Sequence, residues 1–106
     1  MLYIMNSPIL TSYGEWCFEG PLSVDSAKEL IANEPFISAI GHEGSAQFLS
    51  QLLERPFEVN RIRAELKPAD RALVLRINER LPEGVVLTAE QVRTLPFELG
   101  LLTRLS

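Results

Sequence analysis

The chain has 106 residues, the usual size of one domain, so a single hydrophobic core is expected. A composition of 46% hydrophobic and 23% charged residues excludes a disordered chain. The net charge of −4 excludes the broad basic surface needed to grip long DNA or RNA, although a small anion held in a pocket is compatible with it.

In chain order, residues 2 to 5 (Leu-Tyr-Ile-Met) form a continuous apolar run that suits a central strand buried on both faces. No basic lead precedes this run, and Asn6 and Pro8 break it far short of the ~20 residues of a membrane span. Neither a secretion signal nor a membrane anchor is expected. A second short strand is expected around Glu15 to Phe18, ended by Gly20-Pro21. Cys17, the one cysteine, falls within it and reads as a small buried apolar residue. A lone cysteine cannot form an internal disulfide, which points to a cytoplasmic protein.

Ser23 can cap a helix whose apolar positions Val24, Ala27, Leu30 and Ile31 recur at helical spacing, with Asp25 well placed in its first turn. Phe36 to Ile40 reads as an extended segment leading to Gly41-His42-Glu43-Gly44-Ser45. Phe48, Leu49, Leu52 and Leu53 then mark a second amphipathic helix, stopped by Pro56. From Val59 to Leu66 polar and apolar residues alternate as in a half-buried strand. Ala72 to Ile77 is nearly all apolar, and the intervening Lys67-Pro68-Ala69-Asp70 turn predicts an antiparallel hairpin of the two segments. Thr88 and Gln91 form a capping box for a short third helix to Leu95, and a last strand runs from Phe97 to about Arg104.

The sum is an α/β fold: one compact domain over residues 1–106, with a mixed sheet of about five strands and helices packed against it. A chain this small leaves about a third of its unfolded surface exposed, so pairing with a second copy would bury more.

Residue counts exclude a structural zinc site, which needs four Cys or His ligands where this chain has one of each, and no metal ligand set is expected. No phosphate-binding Gly-x-x-x-x-Gly-Lys-Ser/Thr or Gly-x-Gly-x-x-Gly stretch occurs, which argues against ATPase and dinucleotide chemistry. What remains is His42, the only histidine, bracketed by Gly41 and Gly44 at a helix start. The free N–H groups of a first helical turn and the positive end of the helix dipole suit a phosphate, and glycine lets it come close. An imidazole there can donate a proton at cellular pH. Eight of the ten basic residues are arginine, whose planar fork matches phosphate oxygens in pairs.

Four blocks carry a family resemblance: Ser38-Ala39-Ile40-Gly41-His42-Glu43-Gly44-Ser45-Ala46-Gln47, Asn60-Arg61, Glu79-Arg80-Leu81-Pro82-Glu83-Gly84, and Val86-Leu87-Thr88. In order and spacing, along nearly the whole chain, they resemble the viral anti-CRISPR ring nucleases and their bacterial relatives. The resemblance implies a small α/β homodimer that binds cyclic tetra-adenylate, the second messenger of type III CRISPR defence, across its two-fold interface. It further implies linearisation without metal or cofactor, a ribose 2′-hydroxyl attacking its own phosphodiester while His42 protonates the departing 5′-oxygen. Arg80 would stabilise charge on the phosphate, Glu83 would orient the hydroxyl or His42, and Arg61 would contact ligand phosphate. Asn6, Ser7, Gly41, Gly44 and Ser45 would complete the ligand site. The first loop departs from the archaeal viral pattern: Asn-Ala-Phe-Ser becomes Asn6-Ser7-Pro8-Ile9, so the family's ligand-touching serine falls on Ile9, and either Ser7 or Thr11 replaces it or the contact is lost. Pro82 stands where those relatives have an acidic residue and stiffens its loop. Two other readings stay open: a cyclic-nucleotide sponge or sensor that does not cleave, and a mobile-element interaction protein in which His42 is incidental.

Overall fold

A computed structural model describes residues 1–8, 10, 12–77 and 96–106. Among these residues, five strands and two helices follow the order β1 (Leu2–Met5), β2 (Trp16–Glu19), α1 (Val24–Asn33), β3 (Phe36–Ser38), α2 (Glu43–Leu52), β4 (Arg71–Ile77) and β5 (Phe97–Arg104). The strands form one mixed sheet in the order β2-β5-β4-β1-β3. β1 runs parallel to both of its neighbours, Tyr3 pairing with Ile37 of β3 and with Ala72 of β4. β5 is antiparallel to both β4 and β2.

Each strand's two-residue period divides the core into two layers. Leu2 and Ile4 of β1, Leu73 and Leu75 of β4 and Leu99 of β5 face the helices, where they meet Ala27 and Ile31 of α1 and Ala46, Phe48 and Leu49 of α2. Met5, Ala72, Val74 and Leu102 face the other way and are covered in part by Ala64 and Leu66. The side chains of β1 and β4 are therefore enclosed on both faces, as their unbroken apolar runs require. Phe48, fully buried, sets its ring edge-on to Phe97 with centroids 5.4 Å apart. Gly100 permits a close approach across the sheet: a Cβ there would lie 2.5 Å from the Phe18 ring. Ser23 caps α1 as expected, its Oγ accepting from the Ser26 N–H at 3.1 Å. Neither helix is long and apolar enough to cross a membrane.

The expected hairpin does not form. β4 pairs with β1 and β5, and of the segment from Val59 to Leu66 only Val59 makes a ladder contact, an isolated parallel bridge to Ile40. The alternation holds in burial from Arg63 to Leu66, where Ala64 and Leu66 are buried while Arg63 and Glu65 are exposed, but fails at Ile62, which is 44% exposed. The segment lies over a sheet face instead of extending the sheet. β3 is shorter than the expected extended stretch, and α2 stops at Leu52, four residues before Pro56, where Glu54 takes a φ of 54°. The third helix expected from Thr88 lies outside the described residues.

The Lys67-Asp70 turn closes on itself: the Lys67 N–H donates to Asp70 Oδ2 at 2.9 Å and the Asp70 N–H to the Lys67 carbonyl at 2.9 Å. The Lys67 N–H holds the Asp70 carboxyl below the usual carboxylate range; burial opposes this, and the N-terminal ammonium adds to it. A carboxylate held low stabilises the fold above its unfolded pKa and ceases to do so as pH falls through its folded value. Urea denaturation from pH 6 to pH 2 should therefore show a shallower acid loss of stability in Asp70→Asn than in the parent. Phe48→Ala should cost about 3–5 kcal/mol in the same assay at neutral pH.

Candidate functional site

The carboxyl ends of parallel strands are where open α/β sheets bind ligands, and here those of β1 and β3 converge. The Ala39 N–H donates to the Ile4 carbonyl at 2.8 Å, carrying the parallel pairing one step past β3. Two residues further, the Gly41 N–H donates to Asn6 Oδ1 at 3.3 Å, so the residue that leaves β1 holds the approach to α2.

His42 is the N-cap of α2, with an extended backbone at φ −129° and ψ 126°. The Ala46 N–H donates to its carbonyl at 3.1 Å, opening the helical ladder. Its imidazole makes no capping bond to the helix, and Nδ1 is buried without a hydrogen-bond partner among the described residues. An N-cap occupied by a side chain that does not cap leaves the first-turn N–H groups without their usual partner. Gly44 and Ser45 form that first turn, and both are buried. A Cβ added at Gly41 would meet only Arg61 Cγ, at an ordinary 3.9 Å, so the packing around it does not demand glycine. The open face is what a closely approaching ligand would use.

Arg61 reaches this point from the segment that flanks β3. Its Nε donates to the Gly41 carbonyl at 3.0 Å, while the side chain stays largely exposed. Asn60 anchors the segment, its N–H donating to the Ile40 carbonyl and its Nδ2 to the Ser38 carbonyl, both at 2.8 Å. The Ser38 hydroxyl returns a bond to the Glu58 carbonyl at 2.6 Å. These bonds take up the open edge of β3 and set Arg61 against Gly41. Asn60 and Ser38 were quoted in the sequence blocks but given no role there, because the need for them arises only once β3 is known to be an edge strand.

Of the sequence-level candidates, Asn6, Gly41, His42, Gly44, Ser45 and Arg61 are brought together, and Ser7 follows Asn6 in the bend that leaves β1. Arg80, Glu83 and Thr11 lie outside the described residues. Among the described residues, no three of His, Cys, Asp and Glu come together as metal ligands would. Among the described residues the site offers one imidazole, one guanidinium and a helix N-terminus, groups whose chemistry suits an anion and proton transfer to it.

The family described as STIV B116-like matches residues 2–99. Protein 26 of Sulfolobus islandicus filamentous virus is 35% identical, the match covering 95% of this chain and 89% of that one. The ORF117 protein of Acidianus two-tailed virus is 36% identical over 98% of this chain and 93% of its own length. YddF of Bacillus subtilis is 33% identical over 95% and 94%. The solved structure of B116 from Sulfolobus turreted icosahedral virus superposes with a TM-score of 0.82 over 97% of this chain and 98% of that one, at 20% identity, which establishes a shared fold.

If Asn60 is the anchor of the segment, Asn60→Ala should lower stability by about 1 kcal/mol, the net worth of one such hydrogen bond. Amide exchange at residue 60, whose N–H reaches Ile40, should accelerate in the same variant.

Proposed function

Because the chain belongs to the STIV B116-like family and carries His42 at the start of α2, we propose that it is a metal-independent ring nuclease that linearises cyclic tetra-adenylate. The observation that carries this reading is the non-capping imidazole of His42, set beside a Gly41 that Asn6 holds from one side and Arg61 from the other.

In the proposed reaction the helix N-terminus and Arg61 hold a phosphodiester next to His42. The 2′-hydroxyl of the same nucleotide loses its proton to solvent as its oxygen bonds to phosphorus, and the P–O5′ bond breaks. His42 gives its proton to the departing 5′-oxygen, leaving a 2′,3′-cyclic phosphate on one fragment. Arg80 and Glu83 follow the last residue of β4, Ile77, by three and six positions, and β4 ends at the same edge of the sheet as β1 and β3. The family resemblance gives Arg80 the stabilisation of phosphate charge and Glu83 the orientation of the hydroxyl or His42. A ring with two-fold symmetry calls for two such sites facing each other, so the active species is proposed to be a homodimer acting in the cytoplasm.

Purified protein mixed with cyclic tetra-adenylate and excess EDTA should yield short linear adenylates ending in 2′,3′-cyclic phosphate, identified by chromatography and mass spectrometry. His42→Ala should cut the rate about 100-fold or more while still binding the ring. Undiminished cleavage by that variant would exclude His42 as the acid. Ring that co-elutes intact with the unmodified protein would support the sponge instead, and a monomer by light scattering with ring present would contradict the shared site.

A further inference from the structure

Between α2 and the segment from Phe57 to Arg61 lies a groove of about 430 Å³, lined by Glu43, Gln47, Phe57, Glu58, Val59 and Arg61 among others. This volume falls within the range of small-molecule sites. Arg61 touches Gly41 and Glu43 follows His42 in the chain, so the groove adjoins the proposed reaction centre. Gln47 stands one helical turn beyond Glu43, and its Oε1 is buried without a hydrogen-bond partner among the described residues. A buried amide oxygen left unpaired is costly, and it requires a donor that the described residues do not provide.

Resting on the ring-nuclease reading, we propose that Gln47 is the residue that reads the base: the groove takes one adenine of the ring, with its exocyclic amine donating to Gln47 Oε1. A glutamine amide presents an acceptor and a donor side by side, the complement of the amine and N7 edge of adenine. The charges sort the ligand's parts. Arg61 lies at the Gly41 side and suits the phosphate, whereas Glu43 and Glu58 repel a second phosphate and leave the groove to an uncharged base. Ring recognition would then combine a phosphate beside His42 with a base read one helical turn away.

The test is direct binding, by calorimetry, of cyclic tetra-adenylate and of cyclic tetra-inosinate, whose bases carry a carbonyl oxygen in place of the amine. Both are measured with His42→Ala protein so that no turnover intrudes. Adenylate should bind at least about tenfold more tightly, the discrimination expected of a bidentate pair. Adding Gln47→Leu should bring the two rings within about twofold, and Gln47→Glu, which keeps an oxygen acceptor of the same reach, should retain part of the preference. Equal binding of the two rings by the His42→Ala protein, or a preference that survives Gln47→Leu, overturns the base-reading role. In either case, cleavage of cyclic tetra-adenylate by the unmodified protein would leave the ring-nuclease reading standing. Failure of both rings to bind overturns the base-reading role, and failure of the unmodified protein to cleave as well overturns the two together.

Discussion

The parallel pairing of β1 with both of its neighbours is the constraint on which the rest of the structure depends. Parallel strands deliver their carboxyl ends to one edge of the sheet, and here that places the exit of β1, at Asn6, beside the entry to α2, at Gly41. β1 sets Leu2 and Ile4 against the helices and Met5 on the opposite face, so a shift of one residue would exchange the side chains of the two layers. The position of His42 follows from that register: the Ala39 N–H on the Ile4 carbonyl leaves only two residues of chain before the imidazole.

Much of this was legible in the amino-acid order. The unbroken apolar run of residues 2 to 5, the Ser23 cap, the helical spacing after Gly44 and the span from Phe97 to Arg104 each specify a local element through side-chain pattern alone, and each formed. His42 was legible for a related reason, since a lone histidine between glycines ahead of an amphipathic run marks a helix start. The stretch from Val59 to Leu66 shows where such reading ends. Alternation reports that every second side chain is buried, and Ala64 and Leu66 are, but it does not say whether a ladder or a covering layer buries them. That choice was made by β4, whose two sides were already taken by β1 and β5. The anchoring by Asn60 and the Gln47 oxygen left unpaired among the described residues were out of reach for the same reason, because both depend on groups 20 or so residues away in sequence or on space between elements.

The electrostatics of the site are compatible with the proposed binding of an anion. A net charge of −4 offers no general attraction to polyphosphates, so affinity has to come from a few oriented groups at short range: the start of α2, Arg61 and the imidazole. Under the proposed function such a site would discriminate by shape, because a long strand would gain little beyond one seated phosphate and would meet the carboxylates of Glu43 and Glu58 that line the groove.

The segment from Asn60 to Leu66 behaves as a splint laid across the sheet. Asn60 ties one end to β3, and Arg104 Nη1 ties the other by donating to the Leu66 carbonyl at 2.6 Å. A strand inside a ladder counts residues strictly, since one inserted residue reverses every side chain beyond it. A splint fastened at its ends can gain or lose residues in its exposed span without disturbing the strands beneath. Arg61 lies at the fastened end. The same scaffold can therefore vary the surface beside the groove while the placement of His42 stays constant.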